Sequence, residues 1–206
     1  MIIKAKHNIF IDSFFRFYVI WKMKKSFNTV TIKGNVEKTD LPVLLVCNHT
    51  SWWDGIWALH VNQQIFHRKY HFMMLEEQLQ KNWFFKYTGG FSISKKTKSV
   101  VETLNYTVGL LQNKNNIVLM FPQGKIFSMH KRDFVFEKGI EKILTKINGK
   151  VQVVFLANIV DYFADVKPNV TMNIADYKGS YNISDIEKSY NLFYGSCIEN
   201  QIQKQV

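Results

Sequence analysis

"LPVLLVCNHTSWWDG", residues 41–55, holds the whole architecture in fifteen positions. The run from Leu41 to Val46 is apolar without alternation, the pattern of a strand covered on both faces. A polar cluster follows at Asn48, His49, Ser51 and Asp54. The segment "SWWDGIWALHVNQQ" then takes helical spacing, with Ser51 placed to cap its start. A buried strand that gives way to a helix through a polar turn is the unit of a parallel α/β sheet, and ligands in such sheets collect where strands end and helices begin.

The rest of the chain repeats this alternation. "TVTIKG", "YHFMML", "FSIS", "NIVLMFPQG", "KVQVVFLANIV" and "PNVTMNIADY" read as strands. "EEQLQKNWFFKYTGG", "KSVVETLNYTVGLLQNK", "EKGIEKILTKING" and "SDIEKSYNLFYGSCIENQIQK" read as helices, the first stopped by glycines and the third by Asn-Gly. The expectation is an α/β domain built on a largely parallel sheet flanked by helices. The length of 206 residues suits one domain with a small appended element. "FPQGK", like "NHTSWWD", follows an apolar strand, so both belong on the same rim.

The N-terminal part is different. Residues 8–25, "NIFIDSFFRFYVIWKMKK", form an amphipathic helix with Phe10, Phe14, Phe17, Tyr18 and Trp21 on one stripe and Asp12 and Arg16 as an i,i+4 pair off it. Residues 1–38 carry eight basic and two acidic side chains. A basic, aromatic helix of this kind lies flat in a membrane interface; the alternative is that it packs on its own domain. The concentration of aromatics favours the membrane. The division expected is therefore 1–26 as a membrane-associating segment and 27–206 as the catalytic domain. The start, "MIIKAKHNIF", lacks the apolar core and cleavage site of a signal peptide, and no stretch has 18 uninterrupted apolar residues.

Net charge is +11, which attracts anionic lipid, phosphorylated ligands or nucleic acid without choosing among them. The interleaved aromatics of "NWFFKYTGGFSISKKTKS" are compatible with single-stranded nucleic acid, but they equally fit a helix core, and nucleic acid is not the expected partner. The two cysteines, Cys47 and Cys197, fit no metal or redox spacing. Cys47 shares a strand side with His49, which admits a Cys-His nucleophile, although a Cys ending an apolar strand is ordinarily a small core residue. His7, His60, His67, His71 and His130 show no metal-ligand spacing, and no metal is expected.

With His49 still extended and Asp54 in the first helical turn, the chain can fold back so that the carboxylate meets the imidazole. Asp54 then fixes the tautomer, and the other ring nitrogen takes a proton from substrate. "SWWD" also matches a capping box, in which Asp54 serves only the helix N-terminus. Spacing leaves both open.

"NHTSWWD" resembles the Asn-His-x-x-x-x-Asp signature of the glycerolipid, or lysophospholipid, acyltransferase family. Further blocks follow in order. "GGFSISK", Gly89 to Lys95, is similar to Gly-x-x-Phe-Ile-x-Arg. "FPQGKI", Phe121 to Ile126, is similar to Phe-Pro-Glu-Gly-Thr-Arg, and "FEKGIEKI" to a Phe-x-x-Gly segment. The likeness runs over roughly residues 27–175. It implies transfer of a fatty acyl group from a thioester, acyl-CoA or acyl carrier protein, to a hydroxyl of a lysophospholipid-like acceptor, with no bound cofactor or metal. It implies His49 as general base and Asp54 as its partner, on the cytoplasmic face of a membrane to which the protein binds peripherally through anionic lipid. Asn48, Gly89, Phe91, Lys95, Phe121, Pro122, Gln123, Gly124 and Lys125 are its implied substrate-binding positions.

The departures are specific. Lys95 replaces an Arg, keeping charge but losing the bidentate fork. Gln123 stands for Glu, and Lys125 and Ile126 for Thr and Arg, with Lys125, Lys131 or Arg132 as candidate substitutes for the lost guanidinium. The catalytic pair is intact while acceptor recognition is altered. This admits a non-glycerolipid acceptor, such as an amino-lipid or glycosylated isoprenoid, or a catalytically silent lipid-binding member.

Overall fold

The computed structural model describes residues 1–94 and 97–204, Thr97 by its backbone alone. The helices are α1 (Ile9–Ser26), α2 (Asp54–Val61), α3 (Glu76–Lys81), α4 (Thr97–Leu110), α5 (Gly139–Ile147) and α6 (Ile183–Ile202). The strands are β1 (Val30–Lys33), β2 (Val43–Cys47), β3 (Lys69–Leu75), β4 (Gly90–Ile93), β5 (Asn116–Met120), β6 (Gln152–Asp161) and β7 (Asn169–Asp176). The strands form one sheet in the order β1-β7-β6-β2-β5-β3-β4. Every neighbouring pair is parallel except β6 and β7. The largely parallel sheet flanked by helices is thus present.

Strand β2 lies in the middle of this sheet, and all five of its residues are buried. Its side chains alternate between the two faces. Leu44 and Val46 join Val118, Phe91, Ile140 and Tyr190 in one core cluster, with residues of α4, α5 and α6. Val43, Leu45 and Cys47 join Val19, Met23 and Trp57 in the other, under α1 and α2. Continuous hydrophobicity is what two covered faces demand. It also fixes the register, because a one-residue slip would exchange the two cores. The carboxyl ends of β2 and β5 lie side by side through the pairing of Val46 with Met120. The polar segments that follow each strand therefore emerge next to one another.

The N-terminal segment is docked on the domain. Ile3 exchanges hydrogen bonds with Ser92 of β4, and the amides of Lys6 and Asn8 donate to the carbonyls of Lys86 and Tyr87. This covers an otherwise open sheet edge. Asn8 caps α1 by accepting from Phe10 and Ile11. Val19 and Met23 are buried, and Phe15 packs on Phe84 and Phe85. Asp12 and Arg16 pair at 2.7 Å. The aromatic stripe points the other way: Phe10, Phe14, Phe17 and Trp21 are 82%, 71%, 71% and 49% exposed. Packing and a bare aromatic face, posed as alternatives by the sequence, coexist on opposite sides of one helix. Among the described residues no helix is long and apolar enough to cross a membrane.

Candidate active site

His49 follows the end of β2 by two residues, and the chain turns at Thr50–Trp53 into α2. The turn is built by Asp54. Its Oδ2 accepts from the backbone N–H of Thr50 and of Ser51, both at 2.7 Å, and from His49 Nδ1 at 3.0 Å. The capping and orienting roles are therefore performed by one oxygen. Ser51 Oγ accepts from Trp53 N at 3.1 Å, so it caps the turn rather than the helix proper, whose own cap position is Trp53. Asp54 is fully buried, and the His49 side chain is 21% exposed.

Because Asp54 Oδ2 can only accept, Nδ1 carries the proton and Nε2 is left with its lone pair. Nε2 makes no protein hydrogen bond among the described residues. The imidazole lies flat on Phe121, with ring centroids 3.9 Å apart and planes 9° from parallel. Asp54 fixes the ring from its edge and Phe121 from its face. The main chain is held as well. Gln123 Oε1 accepts from His49 N at 2.7 Å, and His49 O accepts from Phe127 N at 2.9 Å. The loop after β5 thus clamps both sides of the His49 main chain.

Beneath the pair lies a buried polar stack. Asn48 is fully buried. Its Oδ1 accepts from Asn158 N at 2.8 Å, and its Nδ2 donates to Asn158 O at 3.1 Å. It is a strut between β2 and β6. Asn158 Nδ2 in turn lies 3.3 Å from Asp54 Oδ1, supplying a neutral donor to the far oxygen of a buried carboxylate. Asn158 is a contact of the candidate pair that the sequence did not single out. Its only signal was an amide inside the apolar run "VQVVFLANIV". Cys47 is excluded as a nucleophile: it is fully buried, and burial together with the Asp54 charge pushes its thiol well above its ordinary value.

Two further implied ligand residues lie in the interior. Gly89 is buried with φ +105°, and a Cβ there would meet the Tyr70 carbonyl oxygen at 1.9 Å. The glycine exists for the approach of β3's backbone. Phe91 is fully buried against Tyr106. Lys95, with the start of "KKTKS", falls outside the described residues. Phe121 is half-buried against the imidazole, and Pro122 is buried with its carbonyl accepting from Glu137 N. Gly124, at φ +64°, closes a turn by donating to Phe121 O at 3.1 Å. Lys125 is exposed. Of the other candidate cations, Lys131 lies 4.4 Å over the Phe127 ring and Arg132 pairs with Glu199 at 3.4 Å. The sequence's tryptophans divide: Trp53 packs on Phe27 and Trp57, while Trp52 is 60% exposed beside the site. Of the aromatics of "NWFFKYTGG", Phe85 packs inward on Phe72 and Phe15, while Trp83 is exposed.

A protein-family model described as Acyltransferase matches residues 27–157, more than half of the chain. The chain belongs to the acyltransferase family. The matched segment runs from just after α1 through most of β6, and it contains His49, Asp54 and the Phe121–Lys125 turn. Acyl transfer on lipid acceptors is the chemistry of this family. Asn158 lies one residue beyond the match. No match was found among curated proteins.

Proposed function

We propose that this acyltransferase transfers a fatty acyl group from an acyl thioester, acyl-CoA or acyl carrier protein, to a hydroxyl of a lysophospholipid-like acceptor, with His49 as general base oriented by Asp54. The observation that carries this is the 3.0 Å contact between His49 Nδ1 and Asp54 Oδ2, which leaves Nε2 as the basic nitrogen. The acceptor hydroxyl gives its proton to Nε2 as its oxygen bonds to the thioester carbon. The tetrahedral intermediate then collapses by breaking the C–S bond, and the thiolate recovers the proton from the imidazolium. A thiolate leaves readily, so no protein nucleophile is needed, and buried Cys47 supplies none. The buried Asp54 stabilises the imidazolium formed between these steps.

The altered third block supports a second reading, in which the acceptor is not a glycerolipid. Gln123 faces the His49 backbone, and exposed, apolar Ile126 stands where the family carries an Arg.

The bare stripe Phe10, Phe14, Phe17 and Trp21, with Lys24 and Lys25 exposed beside it, supports peripheral docking on anionic membrane. Each nearby basic residue contributes roughly 1 kcal/mol at such a surface. Because Val19 and Met23 belong to the core, the test replaces the stripe rather than deleting α1. Phe10→Ser, Phe14→Ser, Phe17→Ser and Trp21→Ser together should abolish sedimentation with anionic vesicles and leave the circular dichroism unchanged. Undiminished sedimentation would place the docking surface elsewhere. Transfer itself is tested by mass spectrometry of a purified reaction on vesicles, with both donor types and lysophospholipid. Acylated product from the wild type and none above background from His49→Ala is the expected result. Equal product from both sinks the assignment.

A further inference from the structure

The two faces of the sheet carry different outer surfaces. α1 lies over the face that holds Val43 and Leu45, and its outer side is aromatic. α4 and α5 lie over the face that holds Leu44 and Val46, packed there through Leu104, Ile140, Ile143 and Leu144. What α5 turns outward is basic: Lys138, Lys142 and Lys146 are all exposed. Four-residue spacing puts them in one row, about 12 Å long over eight residues of helical rise. Beside the row, between α4 and α5, runs a groove of about 410 Å³ whose lining includes Val101, Leu104, Lys142 and Lys146. Val101 is 44% exposed, and Lys98 is exposed on α4 three residues before it. Among the described residues neither Lys138 nor Lys142 makes an ion pair, and Lys146 bonds only the neutral Asn105. The acidic groups nearby are Glu141 in the groove, Glu102 at 3.9 Å from the N-terminal amine, and Glu137, which leans on Gly124.

The row leads to the candidate active site. Glu137 N donates to Pro122 O at 2.8 Å, and the Glu137 side chain lies against Gly124, in the turn whose Gln123 holds His49 N. Lys138 is the next residue. α4 starts from the same rim, because it follows β4, which runs parallel to β3 and through it to β5 and β2. Both helices then run back along the sheet, so the groove between them begins at the site end.

We infer that this face docks an acidic protein carrying the acyl thioester, an acyl carrier protein whose prosthetic arm enters past Lys138. The inference rests on the thioester-donor reading above and selects between its two donors. A nucleotide-tethered thioester needs polar groups that converge in a concave pocket. Here the cations are strung along a helix, and the groove between the helices is floored by Val101 and Leu104. A line of positive charge beside an apolar groove complements an amphipathic acidic helix. An anionic bilayer fits less well: laid under the aromatic stripe of α1, it leaves α5 on the far side of the sheet.

The test titrates the full chain with purified hexadecanoyl acyl carrier protein, without acceptor, by calorimetry. Wild type should bind, and more weakly as salt rises. Lys138→Glu with Lys142→Glu should weaken binding at least about tenfold. Acidic residues suit the first turn of a helix, so the circular dichroism should be unchanged. Val101→Asp, which alters the groove and no lysine, should weaken binding as well. In steady state both variants should raise the KM for the carrier-protein donor, leaving kcat and the KM for hexadecanoyl-CoA as in wild type. No binding by wild type, or wild-type binding by both variants, overturns the inference. Equal losses with the two donors overturn it in favour of a coenzyme A site, and lost sedimentation of the lysine variant with anionic vesicles overturns it in favour of a membrane contact. Lysine-dependent binding with no transfer from either donor would leave the docking surface standing and sink the proposed reaction instead.

Discussion

The loops that leave β2 and β5 start from adjacent strands and meet at His49, yet they are built on opposite terms. In the loop after β2, the carboxylate ties the turn together: Asp54 holds His49, Thr50 and Ser51, and Asn158 supports Asp54 from below. In the loop after β5, Gln123 keeps an unpaired amide donor, Gly124 and Lys125 face solvent, and Ile126 is 58% exposed. The first is tightly bonded, and the second leaves most of its groups open to solvent. The proposed proton transfer tolerates little displacement, and burial locks the pair that would perform it. Gln123, Lys125 and Ile126, three of the residues that depart from the family pattern, sit in the second loop.

Changes in the two loops should therefore differ in kind. Asp54→Asn should have the largest effect, lowering turnover on the order of 10²–10⁴-fold by removing the charge that fixes the tautomer. Its fold should survive, because Asn158 can turn its amide to meet the new side chain. Turnover close to wild type would reduce Asp54 to a cap. Asn158→Ala leaves one oxygen of a buried carboxylate without its donor, at about 1–3 kcal/mol by denaturant unfolding. Turnover should fall less than in Asp54→Asn. In the looser loop, Lys125→Ala should raise the KM for a phosphate-bearing acceptor by up to about fivefold, the worth of an exposed charge, with kcat unchanged. A kcat loss there would contradict the division between the loops.

A smaller effect arises away from both loops. His7 and His71 meet edge to face at 4.8 Å under the N-terminal segment. Burial, with Lys69 adding to it, pushes His7 down to about 4; burial, then the neighbouring His7, pushes His71 down to about 3. Both imidazoles are neutral when folded and titrate near 6.5 when unfolded, so below 6.5 the unfolded chain binds more protons. This contribution to stability is full above pH 6.5 and is lost as pH falls toward the folded values. Unfolding free energy should drop between pH 6.5 and 5 by up to about 1.4 kcal/mol per unit from His71, and less in His71→Phe. A flat profile over that window would contradict the burial of the pair.

The sheet was legible because continuous apolar runs such as "LPVLLV" and "NIVLMF" need two covers. His49 and Asp54 were legible because their contact is local, made by one turn of chain. What stayed hidden depends on register. Gln123 reaches His49 across 74 residues, and Asn158 reaches Asp54 across 104. Only the pairing of β2 with β5 and β6 brings them there. Gly89 looked like a ligand turn in the motif, but the approach of the Tyr70 carbonyl explains it without a ligand. Asn48 precedes His49 in the motif, but its direction is set by β6.

The central claim is that His49 and Asp54 act as one unit, and a double-mutant cycle on kcat tests it most directly. Turnover is measured for wild type, His49→Ala, Asp54→Asn and the double variant under saturating donor and acceptor. If Asp54 acts only through the imidazole, the double variant is no slower than His49→Ala alone. If the two losses multiply, Asp54 contributes independently of His49, and the base-and-orienter account is wrong.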